Sequence, residues 1–243
     1  MNFLRALFLL LSLTGVSLRA ASFDEAAAAL SSPDYPKAAA ALEKIIKVSG
    51  PSAARLYNLG NARFRMGEIG PAILAYEKAA LISPRDAGIV ANLKLARDAA
   101  KSPASQPDRR WWEQPLHFLS LHEWSWLAAA GAVFVAVMIC LAAFSKKYRA
   151  KSLGVMAAAV CLTVFSAAAL VHRAGERSHA VITTADPNLR LSPFEAADST
   201  GSLSSGTMVQ VEKTENGWRY VSSLSGGIKG WLREKDAGMV MAP

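Results

Sequence analysis

The chain has 243 residues, of which 52% are apolar, and it carries a formal net charge of +8 at neutral pH. This apolar fraction is somewhat high for a soluble domain and is typical of a chain with long apolar runs. The basic residues form no clustered face with base-stacking aromatic side chains, which argues against nucleic-acid binding. Cys140 and Cys161 fall inside apolar runs, so we exclude a disulfide framework and expect both to be packing residues.

The first 20 residues have the pattern of a secretory signal peptide. Arg5 stands before a leucine-rich apolar stretch, and small residues follow at Ala20 and Ala21. A cut after Ala20 would leave Leu18 at the third position upstream, where a smaller residue is usual. The pattern predicts export of the segment that follows, with a permanent N-terminal anchor as the alternative to cleavage.

Two apolar runs in the middle of the chain predict membrane-spanning helices. Residues 126–144 and 153–171 contain no charged side chain. About 20 residues at a rise of roughly 1.5 Å each are needed to cross the hydrocarbon, so each run is just long enough. A pair of buried helices in a soluble protein is the alternative, but such helices usually keep a polar stripe and these runs have none.

The loop between the two runs sets the predicted topology. Residues 145–152 contain four basic side chains and no acid, namely Lys146, Lys147, Arg149 and Lys151. Because positive charge next to a span stays in the cytoplasm, we expect this loop to be cytoplasmic. Both ends of the chain would then lie on the periplasmic side of a bacterial inner membrane.

Residues 102–125 predict a linker followed by an interfacial segment. Proline and serine dominate its first half, and its second half is rich in tryptophan and leucine, as in an aromatic belt at the membrane surface. His117 and His122 lie five residues apart, whereas a metal site on a helix favours a spacing of three or four. We therefore expect both histidines to be interface residues.

Residues 21–101 predict stacked helices. Alanine and long straight-chain residues favour helix, and breakers recur at about half of a 34-residue period. Segment 53–86 resembles a tetratricopeptide repeat, although Leu56 and Arg63 stand where that family often has aromatic residues. The resemblance implies two repeats and a closing helix near 87–101, with packing residues at Leu56, Leu59, Gly60, Ala72, Tyr76, Ala79 and Pro84.

Five polar or aromatic residues of this array are candidates for partner binding. Asn58, Asn61 and Arg65 share one helical face because they lie three and four residues apart. Tyr57 and Asn92 are expected to join them, and the alternative is a solvated helix face. Since about three repeats are normally needed for independent stability, we expect the array to lean on a partner protein or on the interfacial segment.

Residues 178–243 predict a small all-β domain. Five short β-type runs alternate with glycine, asparagine and proline turns, which favours a small closed barrel. The stretches PNLRLSP, GTMVQVEKTENGWRYV and GIKGWLRE resemble bacterial SH3-like domains. We expect Trp218 and Trp231 to be core aromatics, and the alternative is a ligand groove lined by Arg190, Trp218 and Tyr220.

No sequence motif points to an enzyme, a cofactor or a metal. The chain lacks the nucleophile, zinc and phosphate-loop motifs, and its histidines are scattered around the ends of the apolar runs. The fold class expected is a multidomain membrane protein with an all-α repeat array, a transmembrane hairpin and an SH3-like barrel.

This order of parts resembles the BatE-type proteins of bacterial aerotolerance operons. The resemblance implies a non-enzymatic envelope scaffold that works with membrane von Willebrand factor A-type proteins and a MoxR-type ATPase. One alternative is a protein that binds or senses peptidoglycan. Another is a regulatory subunit that contacts a cytoplasmic ATPase through the basic loop.

Overall fold

The computed structural model describes residues 34–100, 113–144, 149–224 and 227–241. The predicted signal peptide, most of the predicted linker, Lys146 and Lys147 lie outside these described residues. Three parts follow one another along the chain: a helical array, a pair of long apolar helices and an antiparallel β-sheet. The predicted fold class is therefore seen at this coarse level.

Between residues 34 and 100 the helical array has four helices. These are α1 (Tyr35–Ser49), α2 (Ala53–Arg65), α3 (Ile69–Ile82) and α4 (Ala87–Ala99). Asp34, Ser52 and Asp86 accept backbone hydrogen bonds at the starts of α1, α2 and α4, which satisfies amide groups that have no partner inside the helix. The helix breaks fall where the glycine and proline breakers predict them.

Helices α2 and α3 cross closely because one contact position lacks a side chain. A Cβ added at Gly60 would lie 2.5 Å from the ring of Tyr76, so glycine lets this ring lie against the backbone of α2. Five of the seven predicted packing residues are buried: Leu56, Gly60, Ala72, Tyr76 and Ala79. Leu59 is half-buried, and Pro84 follows the end of α3.

A short helix leads into the apolar pair. It is α5 (Gln114–Phe118), followed by α6 (Leu121–Phe144) and α7 (Arg149–Gly175). Helices α6 and α7 pack against each other, and both are long and apolar enough to cross a membrane. Their outer sides expose large apolar residues such as Val133, Val137, Ile139 and Val164.

Helix α6 begins earlier than the apolar run alone predicts. Ser120 and Glu123 form a reciprocal capping box: the Ser120 backbone N–H donates to the Glu123 carboxylate at 2.8 Å, and the Glu123 N–H donates to Ser120 Oγ at 3.2 Å. The predicted interfacial segment is thus divided between α5 and the first turn of α6.

The β-sheet contains seven described strands. They are β1 (His179–Ile182), β2 (Asn188–Arg190), β3 (Ser199–Ser202), β4 (Met208–Glu215), β5 (Trp218–Ser223), β6 (Lys229–Arg233) and β7 (Ala237–Met239). All paired neighbours are antiparallel, in the order β3-β2-β6-β5-β4-β1-β7. The five predicted β-type runs coincide with β1, β2, β4, β5 and β6, whereas β3 and β7 were not predicted.

The sheet curls around a small aliphatic core. Leu189 near one end of the strand order and Ala237 at the other belong to the same buried cluster. Within the described residues the pairing order leaves β3 and β7 as its two edges, so hydrogen bonds do not close the predicted barrel. Asn216 and Gly217, with φ of 49° and 79°, make the two-residue turn between β4 and β5.

A second hydrophobic core joins the array to the sheet. It combines Ala72, Ile73, Tyr76, Leu93 and Ala96 of α3 and α4 with Val181 of β1, Met208 of β4 and Val240. Three glycines allow this contact: a Cβ at Gly70 would lie 2.4 Å from the Ile182 carbonyl oxygen, and one at Gly206 or Gly238 would meet Ile73 or Leu74. We call the eight buried residues of this second core, without the three glycines, the shared core.

The shared core shows what the array packs against. Our expectation named a partner protein or the interfacial segment as its support. In the structure the sheet of the same chain covers α3 and α4. Most of this contact comes from α3, which packs against β1 and β7.

Substitution Gly70→Ala tests the shared core. The new methyl group would meet the Ile182 carbonyl oxygen and Ser205 Oγ, and the backbone oxygen cannot move without shifting β1. We expect unfolding of the full chain in detergent to become easier by about 1–3 kcal/mol, measured by chemical denaturation.

Gly175→Ala is the matched control because nothing lies within 4 Å of a Cβ at that position. Equal stability of the two variants would show that the array and the sheet do not pack as described.

Candidate functional site

Three of the five predicted partner-binding residues, Tyr57, Asn61 and Asn92, form an internal hydrogen-bond network with Tyr76. Tyr76 donates its hydroxyl to Asn61 Oδ1 at 2.8 Å. The Asn92 amide donates to the same Asn61 oxygen at 2.8 Å and to the Tyr57 hydroxyl at 3.0 Å. The oxygen of Asn61 thus ties α2 to both α3 and α4.

The remaining two predicted residues lie around this network. Asn58 is half-buried on α2, and Arg65 is exposed at the end of the same helix. Burial raises the pKa of the Tyr76 hydroxyl well above its ordinary value, while the nearby charge of Arg65 opposes that rise. Tyr76 therefore stays a neutral hydrogen-bond donor, and Arg65 offers the accessible charge of this group.

A second candidate lies on the outer side of the curled sheet. Tyr220 of β5 pairs with Trp231 of β6, and their ring centroids are 5.4 Å apart. Arg190 of β2 pairs with Trp231 from the other side. Trp218 precedes Tyr220 by two residues and so projects to the same side. We call Arg190, Trp218, Tyr220 and Trp231 the aromatic face.

Trp218 is buried, as expected for a core aromatic, and Trp231 is half-buried, but neither side chain belongs to the aliphatic core of the sheet. Side chains alternate along a strand, and here Val221 and Leu232 face the aliphatic core instead. Trp218 is only 8% exposed because the Arg233 guanidinium lies over its ring, 5.1 Å from the centroid. Arg190, Trp231 and Tyr220 are neighbours in register across β2, β6 and β5, and Trp218 lies two residues before Tyr220 on β5.

Ion pairs surround the aromatic face. Lys213 lies 5.7 Å from the Trp231 centroid and pairs with Glu215 at 2.6 Å. Arg233 pairs with Glu195. Tyr220 and Trp231 are half-buried among these charges. Such a surface can stack against an apolar, planar or sugar ring.

A cavity of about 620 Å³ lies where the array, α5, the end of α7 and the sheet meet. Its floor is apolar and includes Leu81, Leu93, Met208 and Val240. Its remaining walls carry charged and imidazole side chains: Glu77, Lys94, Arg97, Glu113, His117, His172, Arg173, Glu176 and His179. We call it the junction cavity.

Buried ion pairs build the walls of the junction cavity. Arg173 is 2% exposed and donates to the Leu119 carbonyl oxygen at 2.7 Å, while Glu176 lies 3.0 Å from His117 Nε2. These contacts tie α5 to the end of α7. On the array side the Glu77 carboxylate pairs with the Arg97 guanidinium.

A further contact links the array to the apolar pair. Arg85, in the turn between α3 and α4, pairs with Glu123 and lies 5.3 Å from the centre of the Phe118 ring. His117 and His122, predicted as interface residues, lie here: His117 is beside Glu176, and His122 Nε2 accepts from Trp126 Nε1 at 2.8 Å.

Sequence reasoning missed the junction cavity. One signal was available, since Arg173 follows the second apolar run almost directly and a cation there needs a partner. The partners come from distant segments, so the pattern alone does not show them.

Comparison of the chain with family models, with curated proteins and with solved structures finds no match.

Substitution Asn61→Leu distinguishes a structural role of the network from partner binding. Leucine has a similar size but removes the acceptor that Tyr76 and Asn92 share. We expect a loss of about 1–3 kcal/mol in the free energy of unfolding, because the buried Tyr76 hydroxyl loses its acceptor and the half-buried Asn92 amide keeps only Tyr57.

Asn58→Leu, on the same helix and outside the network, is the control and should change stability little. If Asn61→Leu instead left stability unchanged and abolished partner recovery, Asn61 would be a binding residue.

Proposed function

We propose that this protein is a non-enzymatic, membrane-anchored scaffold that docks other envelope proteins. The shared core is the observation that carries the proposal. It joins the array and the sheet into one head, and the two apolar helices leave from that head and return to it. A head fixed to a hairpin in this way suits a docking protein that must stay beside the membrane.

The proposed sidedness is periplasmic for the head and cytoplasmic for the loop. Two crossings return the chain to the side from which it left. Since the array and the sheet share a buried core, both must lie on the same side. The basic residues of the loop favour the cytoplasm for the other end.

The proposed docking surfaces are the array and the aromatic face. Tyrosine, tryptophan and arginine are enriched at the centres of protein interfaces, and the aromatic face combines all three. Its likeness to SH3-like domains and the likeness of the array to tetratricopeptide repeats support the same reading. By the BatE-type resemblance the partners are membrane von Willebrand factor A-type proteins and a MoxR-type ATPase system.

A reporter fusion tests the sidedness. Alkaline phosphatase fused after Pro243 should be active, because that enzyme folds only outside the cytoplasm. The same enzyme inserted in the loop 145–152 should be inactive. Activity in the loop fusion, or a well-expressed but inactive C-terminal fusion, would overturn the anchor arrangement.

Recovery of partners tests the scaffold. The full chain, solubilised in mild detergent, should recover envelope proteins, and Trp231→Ser with Tyr220→Ser should reduce that recovery about tenfold or more, as loss of a central aromatic pair does. Ser222→Ala, on the same side of β5, is the control. Unchanged recovery would remove the aromatic face from the docking surface.

Peptidoglycan binding is the second candidate, and the Tyr220–Trp231 pair favours it because aromatic rings stack on sugar rings. Sedimentation of the full chain with purified sacculi separates the two functions. The full chain is needed because removal of the array would expose Val181 and Met208. If the chain sediments with sacculi and loses this property when Trp231 is replaced, peptidoglycan binding is favoured as the function.

A further inference from the structure

We propose that the junction cavity binds the headgroup of an aminophospholipid from the outer leaflet. Such a headgroup combines a phosphate diester with a primary ammonium. This inference rests on the proposed membrane anchor but not on the docking of protein partners. The location, the charges and the chemistry of the cavity walls each support it.

The location places the cavity within reach of lipid. His172 and Arg173, in its wall, follow directly on the second apolar run. The neighbouring Val171 is 74% exposed, and apolar side chains line the outer side of α7 below it. An acyl chain lying along α7 would therefore bring its phosphate to the level of the cavity. A volume of about 620 Å³ lies in the usual range for ligand sites.

The charges of the walls favour a zwitterion. Lys94, Arg97 and Arg173 are permanent cations, and the three carboxylates in the wall are Glu77, Glu113 and Glu176. These charges cancel, so a simple anion or a simple cation gains little from the cavity as a whole. A headgroup that carries both signs meets an opposite charge at each end. The apolar floor lowers the local dielectric and strengthens both contacts.

Two of these charges are the best placed to meet a ligand. Lys94 is exposed on α4, and Glu113 is half-buried just before α5, so they approach the cavity from different walls. The lysine ammonium suits a phosphate oxygen, and the glutamate carboxylate suits a donor N–H. Exposed His172 lies in the wall of α7, next to buried Arg173.

The chemistry of the walls favours a primary over a quaternary ammonium. Quaternary ammonium groups are recognised by aromatic cages, and no Phe, Tyr or Trp is among the described residues that line the cavity. Carboxylates bind best to groups that donate N–H bonds, which a primary ammonium has and a trimethylammonium lacks. Phosphatidylethanolamine therefore fits better than phosphatidylcholine, and better than the purely anionic phosphatidylglycerol.

Native mass spectrometry of the detergent-purified, delipidated full chain tests the proposal. Dioleoyl forms of the three phospholipids are added separately, and the retained lipid is counted. We expect phosphatidylethanolamine to be retained about tenfold more strongly than the other two, as one charge-assisted hydrogen bond implies. Equal retention of all three lipids would overturn the proposal.

Two variants locate the binding. Glu113→Gln should remove the preference for phosphatidylethanolamine over phosphatidylglycerol, whereas Lys94→Gln should weaken both. Their matched controls are Asp98→Asn and Lys47→Gln, which make the same changes at exposed positions outside the cavity. If both variants behave as their controls do, the headgroup does not bind in the junction cavity.

Two further measurements distinguish lipid binding in the junction cavity from binding of a soluble ligand and from binding at the aromatic face. Soluble phosphoethanolamine should compete weakly, because it has no acyl chain to lie along α7; competition equal to that of the lipid would assign the cavity to a soluble ligand and overturn the lipid assignment. The aromatic-face variant should keep its bound lipid even when it no longer recovers protein partners. Loss of lipid from that variant would count against a separate site.

Discussion

The shared core between α3, α4 and the sheet is the constraint on which the rest of the structure depends. Ile73 and Val181, from parts of the chain more than 100 residues apart in sequence, are both fully buried in it. Their burial removes apolar area that neither part can cover alone. Because the apolar helices lie between these two parts in the chain, they must leave the head and return to it at neighbouring points.

The ion pairs at the end of α7, where the chain returns to the head, orient the hairpin and the head more than they stabilise them. Arg173 is nearly inaccessible, and so is Glu77. Removing two charges from water costs about as much as their attraction returns, so buried pairs contribute little net stability. They do penalise wrong arrangements, since a shifted α7 would separate Arg173 from the Leu119 carbonyl and Glu176 from His117. Charged contacts thus set the angle between the head and the hairpin, whereas apolar packing supplies the stability.

Local features of the fold could be predicted from the sequence, and long-range ones could not. The Asn216–Gly217 turn and the helix breaks depend on residues adjacent in sequence, so their patterns suffice. Strand β3 could not be found because its four residues, serine, threonine and glycine, are all exposed and show no apolar alternation. The shared core escaped prediction because its two halves meet only in space.

The candidate site shows the same division. Alternation along β5 puts Trp218 and Tyr220 on one side and Arg219 and Val221 on the other, but each side offers apolar residues. Only the partner strand decides between them, since Leu232 of β6 joins Val221 in the aliphatic core. Sequence alternation therefore places Trp218 and Tyr220 on one side of β5, but it cannot show that this side lies away from the aliphatic core.

The strand order also separates two uses of one sheet. β1, β4 and β7 supply the contacts with the array, whereas the aromatic face lies on β2, β5 and β6. Leu191 and Phe194, exposed by 62% and 55%, follow β2 near that second region. A molecule docked there would leave the shared core intact. The head can therefore stay fixed on its hairpin while the remaining strands leave the aromatic face available to the proposed partner.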